Sequence, residues 1–128
     1  YEIPEQPLRE FAQILADRVK MLGEDSVQVM GDPERIVSRP ALGVGCIGPD
    51  REIVARGADV LIVCYDGASY WNVRERLFEQ GAAIITVEHG TSEMPGMENM
   101  CRHLAEVFPQ VEFQYFAAHP QPWTVRGR

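Results

Sequence analysis

Two apolar runs of nearly the same pattern constrain the fold of this chain more than any other feature of its sequence. One extends from Arg56 to Val63 and the other from Gln80 to Val87, and each has a glycine, an alanine and then a mainly apolar stretch. The glycines end helices, and the apolar stretches are typical of strands that are covered on both faces. Two strands joined by a crossover helix are normally parallel, so we expect both runs to end at the same edge of one sheet.

The rest of the chain supplies helices and further strands around this pair. Apolar residues at helical spacing predict one helix from Leu8 to Leu22 and another from Met97 to Phe108. Shorter segments complete the pattern, with strands at 27–30, 41–48 and 111–116 and helices at 50–57 and 73–81. We therefore predict an α/β domain, a three-layer sandwich with a mixed, mainly parallel sheet of about five strands and helices on both faces.

The size and the charge of the chain argue against several classes of protein. Its 128 residues fit a single domain, 1–128. The 12 Lys and Arg residues against 19 Asp and Glu residues give a formal net charge of −7, which repels phosphate backbones and anionic membranes. No apolar run reaches the length of a membrane-spanning helix, and the first residues lack a signal-peptide pattern. We expect a cytoplasmic protein that binds neither nucleic acid nor a membrane.

The three cysteines, Cys46, Cys64 and Cys101, follow neither a disulfide framework nor a zinc-binding CxxC pattern. We expect them to be reduced and mostly buried. Cys46 lies in the glycine-rich segment Gly43–Gly48, for which a nucleophile or a phosphate cradle is one interpretation. The segment matches neither the GxGxxG nor the GxxxxGK motif, so glycines that let the strand pack closely are the favoured interpretation.

Acidic residues and a histidine follow the two predicted strands, at the edge where open α/β sheets bind ligands. Asp66 follows the first strand, and Glu88, His89 and Glu93 follow the second in a predicted loop. His89 and Glu93 are four residues apart, so a helical turn brings the imidazole and the carboxylate to one cation. We predict that His89 and Glu93 bind a divalent metal ion and that Asp66 or Glu88 is a base or a further ligand. The alternative is that Glu93 only complements a helix dipole and that His89 is an ordinary loop residue.

The segments Gly57–Ile62 and Ile85–Met97, with the acidic loop at Asp66, resemble the Nif-three-like dinuclear metal-centre family, often labelled GTP cyclohydrolase I type two homologues. In that family a GAD-apolar strand ends in a Thr-Gly-acid turn, and a later strand ends in GHxxTE, whose histidine and glutamate bind the metal pair. His89 and Glu93 fall on those two positions. The likeness extends over residues 7 to 120 and includes the closing strand at 111–113.

The resemblance implies a metal-dependent function. The expected cofactor is a divalent metal ion such as zinc, iron or manganese, which acts as a Lewis acid or lowers the pKa of a bound water. The expected reaction is hydrolysis of a small nucleotide or pterin-like molecule, with Asp66 or Glu88 as the catalytic residue. Family members are thought to form toroidal hexamers, so the resemblance also implies a homo-oligomer.

The sequence also departs from the family pattern. Glu88 replaces a glycine, Ser92 replaces a threonine, and Cys64-Tyr65-Asp66 replaces the Thr-Gly-acid turn. The adjacent histidine pair of the family's amino-terminal half has no counterpart among the 3 histidines of this chain. The chain is therefore either the carboxy-terminal half of a longer, two-lobed protein or a stand-alone relative with a reduced site.

Two other functions are compatible with these residues. A non-catalytic regulatory or assembly module that binds a metal or a small ligand needs fewer protein ligands than the about five of a catalytic two-metal centre. In a domain that serves oligomer assembly alone, replacing His89 and Glu93 by alanine would leave the metal content unchanged.

Overall fold

The two apolar runs form neighbouring strands in the middle of a mixed sheet. The computed structural model describes residues 1–45, 50–67, 74–117 and 123–127. In chain order the elements are β1 (Gln6–Pro7), α1 (Leu8–Lys20), β2 (Gln28–Met30), β3 (Ile36–Val37), β4 (Pro40–Leu42), α2 (Asp50–Ala55), β5 (Val60–Cys64), α3 (Glu75–Glu79), β6 (Ala83–Val87) and α4 (His89–Val107).

Strands β5 and β6 are parallel and in register along their whole length. Val60 pairs with Ala83 at one end, and Cys64 pairs with Val87 at the other. Every residue of both strands is buried, as expected for strands covered on both faces. The prediction that both runs end at one edge of the sheet is therefore confirmed.

Two shorter strands flank this pair and make the sheet mixed. Strand β4 is parallel to β5 on one side, and β2 is antiparallel to β6 on the other, giving the order β2-β6-β5-β4. The predicted mixed, mainly parallel sheet is confirmed, with four strands in the described part of the chain against the expected five or so. A separate small sheet joins β1 to β3.

Helices cover both faces of the sheet, which confirms the three-layer arrangement. On one face, Leu8, Ala12 and Val19 of α1 pack against residues of β5 and β6. On the other face, Leu61, Val63 and Ile84 form a second cluster with Val54 of α2, and α3 contacts α2 and β6. Alternate residues of one strand thus pack into opposite layers.

Helix α4 begins directly after β6, at the place where the sequence predicted a loop from Glu88 to Glu93. That prediction is wrong because Glu88 is a helix N-cap, with its own side chain accepting a hydrogen bond from the amide of Gly90. His89 and Glu93 therefore lie on the first turns of one helix. Neither α4, the longest described helix, nor any other helix in the described ranges combines the length and apolar character needed to cross a membrane.

The predicted closing strand at 111–116 forms no ladder in the described chain. The segment runs beside α4, where Phe113 and Tyr115 are half-buried while Val111 and Phe116 are exposed. Its alternating apolar residues predict an extended segment with one covered face, and here Phe113 and Tyr115 line a groove together with α4. Alternation does not specify a hydrogen-bonding partner, which is why the strand prediction failed.

The cysteines of the described chain form no disulfide with one another. Cys64 is buried at the end of β5, and Cys101 is half-buried on α4. Cys46, with the rest of 46–49, lies outside the described residues.

Replacing Leu8 by alanine tests the packing of α1 on the sheet. Leu8 is fully buried against the central strands, so the variant should lose about 2–5 kcal/mol of unfolding free energy through lost contacts and a cavity. Urea denaturation measures this loss. Ile14→Ala, on the half-exposed side of the same helix, is the matched control and should cost much less. Equal losses in the two variants would contradict the observed packing.

Candidate metal centre

The ends of β5 and β6 bring residues from separate parts of the sequence to one point. Since Cys64 pairs with Val87, residues two positions further along each chain segment also meet, and these are Asp66 and His89. The expectation that chemistry-bearing side chains gather at the carboxyl edge of the sheet is met by these two residues.

The imidazole of His89 lies between two carboxylates. Its Nδ1 atom is 2.7 and 2.9 Å from the two carboxylate oxygens of Asp66, and its Nε2 atom is 3.2 Å from Oε1 of Glu93. The three side chains are partly exposed, at 35% for His89, 56% for Asp66 and 48% for Glu93. The hydrogen bond to Asp66 raises the pKa of His89 above its ordinary value.

Cys64 also belongs to this cluster, and sequence reasoning missed it as a candidate ligand. Its Sγ atom is 3.1 Å from Oδ1 of Asp66, and it accepts a hydrogen bond of 3.2 Å from the amide of Gly67. Donor atoms of Cys64, Asp66 and His89 all lie within 4.8 Å of one another. The position of Cys64 in the sequence could have indicated this role, because the last residue of a buried parallel strand lies next to the ligand-binding edge of the sheet.

Gly45 lies close to the cluster, in a backbone conformation that residues with a side chain rarely adopt. Its φ is +63°, and a Cβ atom there would lie 2.8 Å from Oε1 of Glu93 and 3.6 Å from Nε2 of His89. Its amide donates a hydrogen bond of 3.2 Å to Oγ of Ser92, and its carbonyl accepts one from the thiol of Cys64. The interpretation of these glycines as close-packing residues is confirmed at this position.

Glu88, the second predicted base or ligand, caps the amino terminus of α4. Its carboxylate accepts a hydrogen bond of 2.9 Å from the amide of Gly90, which caps α4. It is not in the described group of side chains that could hold a metal ion. A catalytic role for Glu88 stays a prediction.

A buried carboxylate that sequence reasoning did not single out holds the start of α4. Glu24 is only 5% exposed, and its two oxygens accept hydrogen bonds of 3.0 and 3.1 Å from the amide of Glu88. The side chain of Thr91 also hydrogen-bonds to Glu24. Burial raises the pKa of Glu24 above its ordinary value, and the neighbouring carboxylates of Glu88 and Asp25 raise it further.

The donor atoms of the cluster fit a divalent metal ion. Thiolate, imidazole and carboxylate are the three ligand types that zinc uses in proteins, and the imidazole and carboxylate also suit iron and manganese. Donor atoms that share one tetrahedral zinc ion lie about 3.4 to 3.6 Å apart. The contacts of 2.7 and 3.1 Å around Asp66 are shorter than this, so the exposed Asp66 side chain would have to shift if all three residues bound one ion.

The fold and this cluster together define an α/β domain with a candidate metal centre at the carboxyl edge of its sheet. Residues 2–122 match the family model of Duf34/NIF3 (NGG1p interacting factor 3). The chain therefore belongs to the DUF34/NIF3 family, which confirms the resemblance seen in the sequence. Family membership and the cluster of Cys64, Asp66 and His89 both fit a metal-binding role.

Solved structures share the fold. A Bacillus cereus protein related to NIF3 matches with a TM-score of 0.79 and 19% identity, over 98% of this chain and 34% of that chain. The Staphylococcus aureus hypothetical protein SA1388 matches with a TM-score of 0.72 and 22% identity, over 96% of this chain and 41% of that one. The protein TTHA1606 from Thermus thermophilus matches with a TM-score of 0.60 and 21% identity, over 96% of this chain and 46% of that one.

The chain spans between about a third and a half of the length of these solved relatives. At such identities the likeness shows the fold alone. A search of curated protein sequences found no match.

Replacing Glu24 by glutamine tests the buried carboxylate through the pH dependence of stability. Because the pKa of Glu24 is higher in the folded chain than in the unfolded one, the folded state binds this proton more tightly. The contribution to stability is thus present at low pH and is lost as the pH rises through the raised pKa. We expect the melting temperature of the wild type, relative to that of Glu24→Gln, to fall as the pH rises above 4.5, the ordinary pKa of a glutamate side chain.

Thermal melts at several pH values measure this difference. The matched control is Glu106→Gln, which removes an exposed carboxyl from α4 without touching Glu24. A difference between the wild type and Glu24→Gln that is the same at every pH would contradict the assignment.

Proposed function

We propose that this domain binds a divalent metal ion through His89 and that the bound ion supports hydrolysis of a small nucleotide or pterin-like molecule. The observation that carries the proposal is the position of the His89 imidazole between the carboxylates of Asp66 and Glu93. When one ring nitrogen donates its proton to a carboxylate, the other presents its lone pair, and metal-binding histidines are commonly held in this way.

The residues around the ring support a hydrolytic role. A divalent ion bound here supplies Lewis acidity to the reaction. Of the two residues predicted as a base or further ligand, Asp66 contacts the ring of His89, whereas the carboxylate of Glu88 caps α4. The geometry therefore favours Asp66 for that role.

A groove beside the cluster offers a place for the organic part of a substrate. It has a volume of about 410 Å³, lies between α4 and residues 113–116, and reaches Gly90 and Glu93. Its other lining residues are mainly apolar or aromatic: Met94, Met97, Met100, Cys101, Leu104, Phe113, Gln114, Tyr115 and Phe116. Because Glu93 also contacts His89, a flat ring bound in the groove would lie next to the cluster.

A second candidate function is a metal-binding assembly module without catalysis. Exposed apolar side chains that do not line the groove lie at the end of α4 and just after it, at Val107, Phe108 and Val111. Exposed apolar side chains that lie close together favour contact with another protein chain. We propose a homo-oligomer on this basis, and the absence of hydrolysis by the metal-loaded protein would favour the second candidate over the first.

Replacing His89 by alanine tests the metal site. We expect the zinc content of the variant, purified after incubation with zinc, to fall at least tenfold below that of the wild type, because the imidazole is at the centre of the cluster. Glu93→Gln and Asp66→Asn should each weaken zinc binding by about 10- to 100-fold. Elemental analysis and competition with a chelator measure these changes.

The matched control for His89→Ala is His103→Ala, which removes an exposed histidine from the same helix. It should bind zinc as the wild type does. Equal zinc content in the wild type and His89→Ala would end the proposed metal site.

Replacing Met97 by lysine tests the groove as a substrate site. We expect the metal-loaded variant to hydrolyse GTP with a kcat/KM at least tenfold below that of the wild type, because an ammonium group in an apolar groove disfavours the ring of the nucleotide. Chromatographic separation of GTP from its products measures the rate.

Glu98→Gln is the matched control, since it makes the same change in net charge one residue away and does not line the groove. Zinc content should be unchanged in both variants. Equal reduction of the rate in both would show that the groove does not bind the substrate.

A further inference from the structure

The two carboxylates beside the His89 ring lie at unequal distances from it. We infer that Asp66 is a positioning residue, which holds a proton on Nδ1 of His89 so that Nε2 faces an ion shared with Glu93. The inference deepens the proposed function, on which it rests, because it gives Asp66 a role that acts through the ring and not as a ligand of the ion.

The distances on the Nδ1 side of the ring are those of a hydrogen bond. Nδ1 is 2.7 and 2.9 Å from the two carboxylate oxygens of Asp66, which is the usual range for a bond between an N–H group and a carboxylate. Two ligands of one tetrahedral zinc ion lie further apart, at about 3.4 to 3.6 Å. Asp66 in its observed position is therefore a partner of the ring and not a second ligand beside Nδ1.

The Nε2 side of the ring suits two ligands of one ion better. Nε2 is 3.2 Å from Oε1 of Glu93, so only a small outward movement of either side chain is needed to admit an ion between them. Glu93 follows His89 by four residues on α4, so both side chains project from one face of the helix. An ion at this place needs the lone pair of Nε2, which the neutral ring presents when its proton lies on Nδ1.

Asp66 is itself held by its neighbours. Its Oδ1 atom is 3.1 Å from Sγ of Cys64, which is fully buried at the end of β5. The register of β5 with β6 brings Asp66 next to His89. A carboxylate placed in this way fixes both the tautomer and the direction of a metal-binding histidine.

Gly45 lies on the Nε2 side of the ring. A Cβ atom there would be 2.8 Å from Oε1 of Glu93 and 3.6 Å from Nε2 of His89, the two atoms that would hold the ion. A side chain at position 45 would therefore displace the Glu93 carboxylate. The glycine thus keeps both donor atoms accessible to an ion.

Nitrogen NMR of the zinc-loaded full chain, with isotope-labelled histidine, tests the inference directly. The chain has 3 histidines, so His103→Gln together with His119→Gln leaves His89 as the remaining one. We expect Nε2 to carry the ion and Nδ1 to carry the proton. Long-range couplings between ring protons and ring nitrogens distinguish the two atoms.

Two replacements of Asp66 separate orientation of the ring from a merely structural role. The side-chain oxygen of asparagine accepts the same hydrogen bond, so Asp66→Asn should keep the proton on Nδ1 and weaken zinc binding by about 10- to 100-fold. Asp66→Ala has no acceptor and should bind zinc more weakly than Asp66→Asn does. Asp17→Ala, which removes an exposed carboxyl from α1, is the matched control and should bind zinc as the wild type does.

The outcomes distinguish this inference from the proposed function. Zinc held by Nδ1, or equal zinc affinity in the wild type and Asp66→Ala, would overturn the inference and leave the metal site standing. No zinc binding by the wild type would overturn both. The NMR measurement retains Asp66, so the test holds even where Asp66→Ala does not fold.

Discussion

The parallel pairing of β5 with β6 is the interaction on which the rest of the site depends. Because Cys64 lies beside Val87, the chain leaves the two strands at the same level, and Asp66 and His89 meet two residues further on. A slip of one residue would turn every side chain of a strand to the opposite face. Burial of both strands in two apolar layers excludes such a slip, so the core and the site are specified by one register.

Hydrogen bonds to a buried carboxylate hold the beginning of α4 in place. Glu24 is buried, which disfavours its charged form, yet its oxygens accept the amide of Glu88 at a helix amino terminus, where negative charge is favourable. These hydrogen bonds place His89 at the first helical position. The position of His89 at the start of α4 thus depends on a residue that is 65 positions away in the sequence, while Asp66 and Glu93 orient its ring.

Helix α4 connects the two parts of the proposed function. Its first turns carry His89 and Glu93, and its later turns, from Met97 to Leu104, line the apolar groove. Glu93 belongs to both, since it contacts the imidazole and also lines the groove. A ligand in the groove and an ion at the cluster, as proposed, would therefore both contact this one helix, which would hold reacting groups in a fixed relation.

The sequence by itself determined the buried parallel strands, the helices that cover them, and the spacing that brings His89 next to Glu93, because these depend on local periodicity. Only the tertiary structure decided that Cys64 joins the cluster, that Gly45 lies close to it, and that residues 111–116 lie beside a helix instead of pairing in a sheet. Those contacts join segments far apart in the chain, and no local pattern of residue types encodes which distant side chains a strand register will bring together.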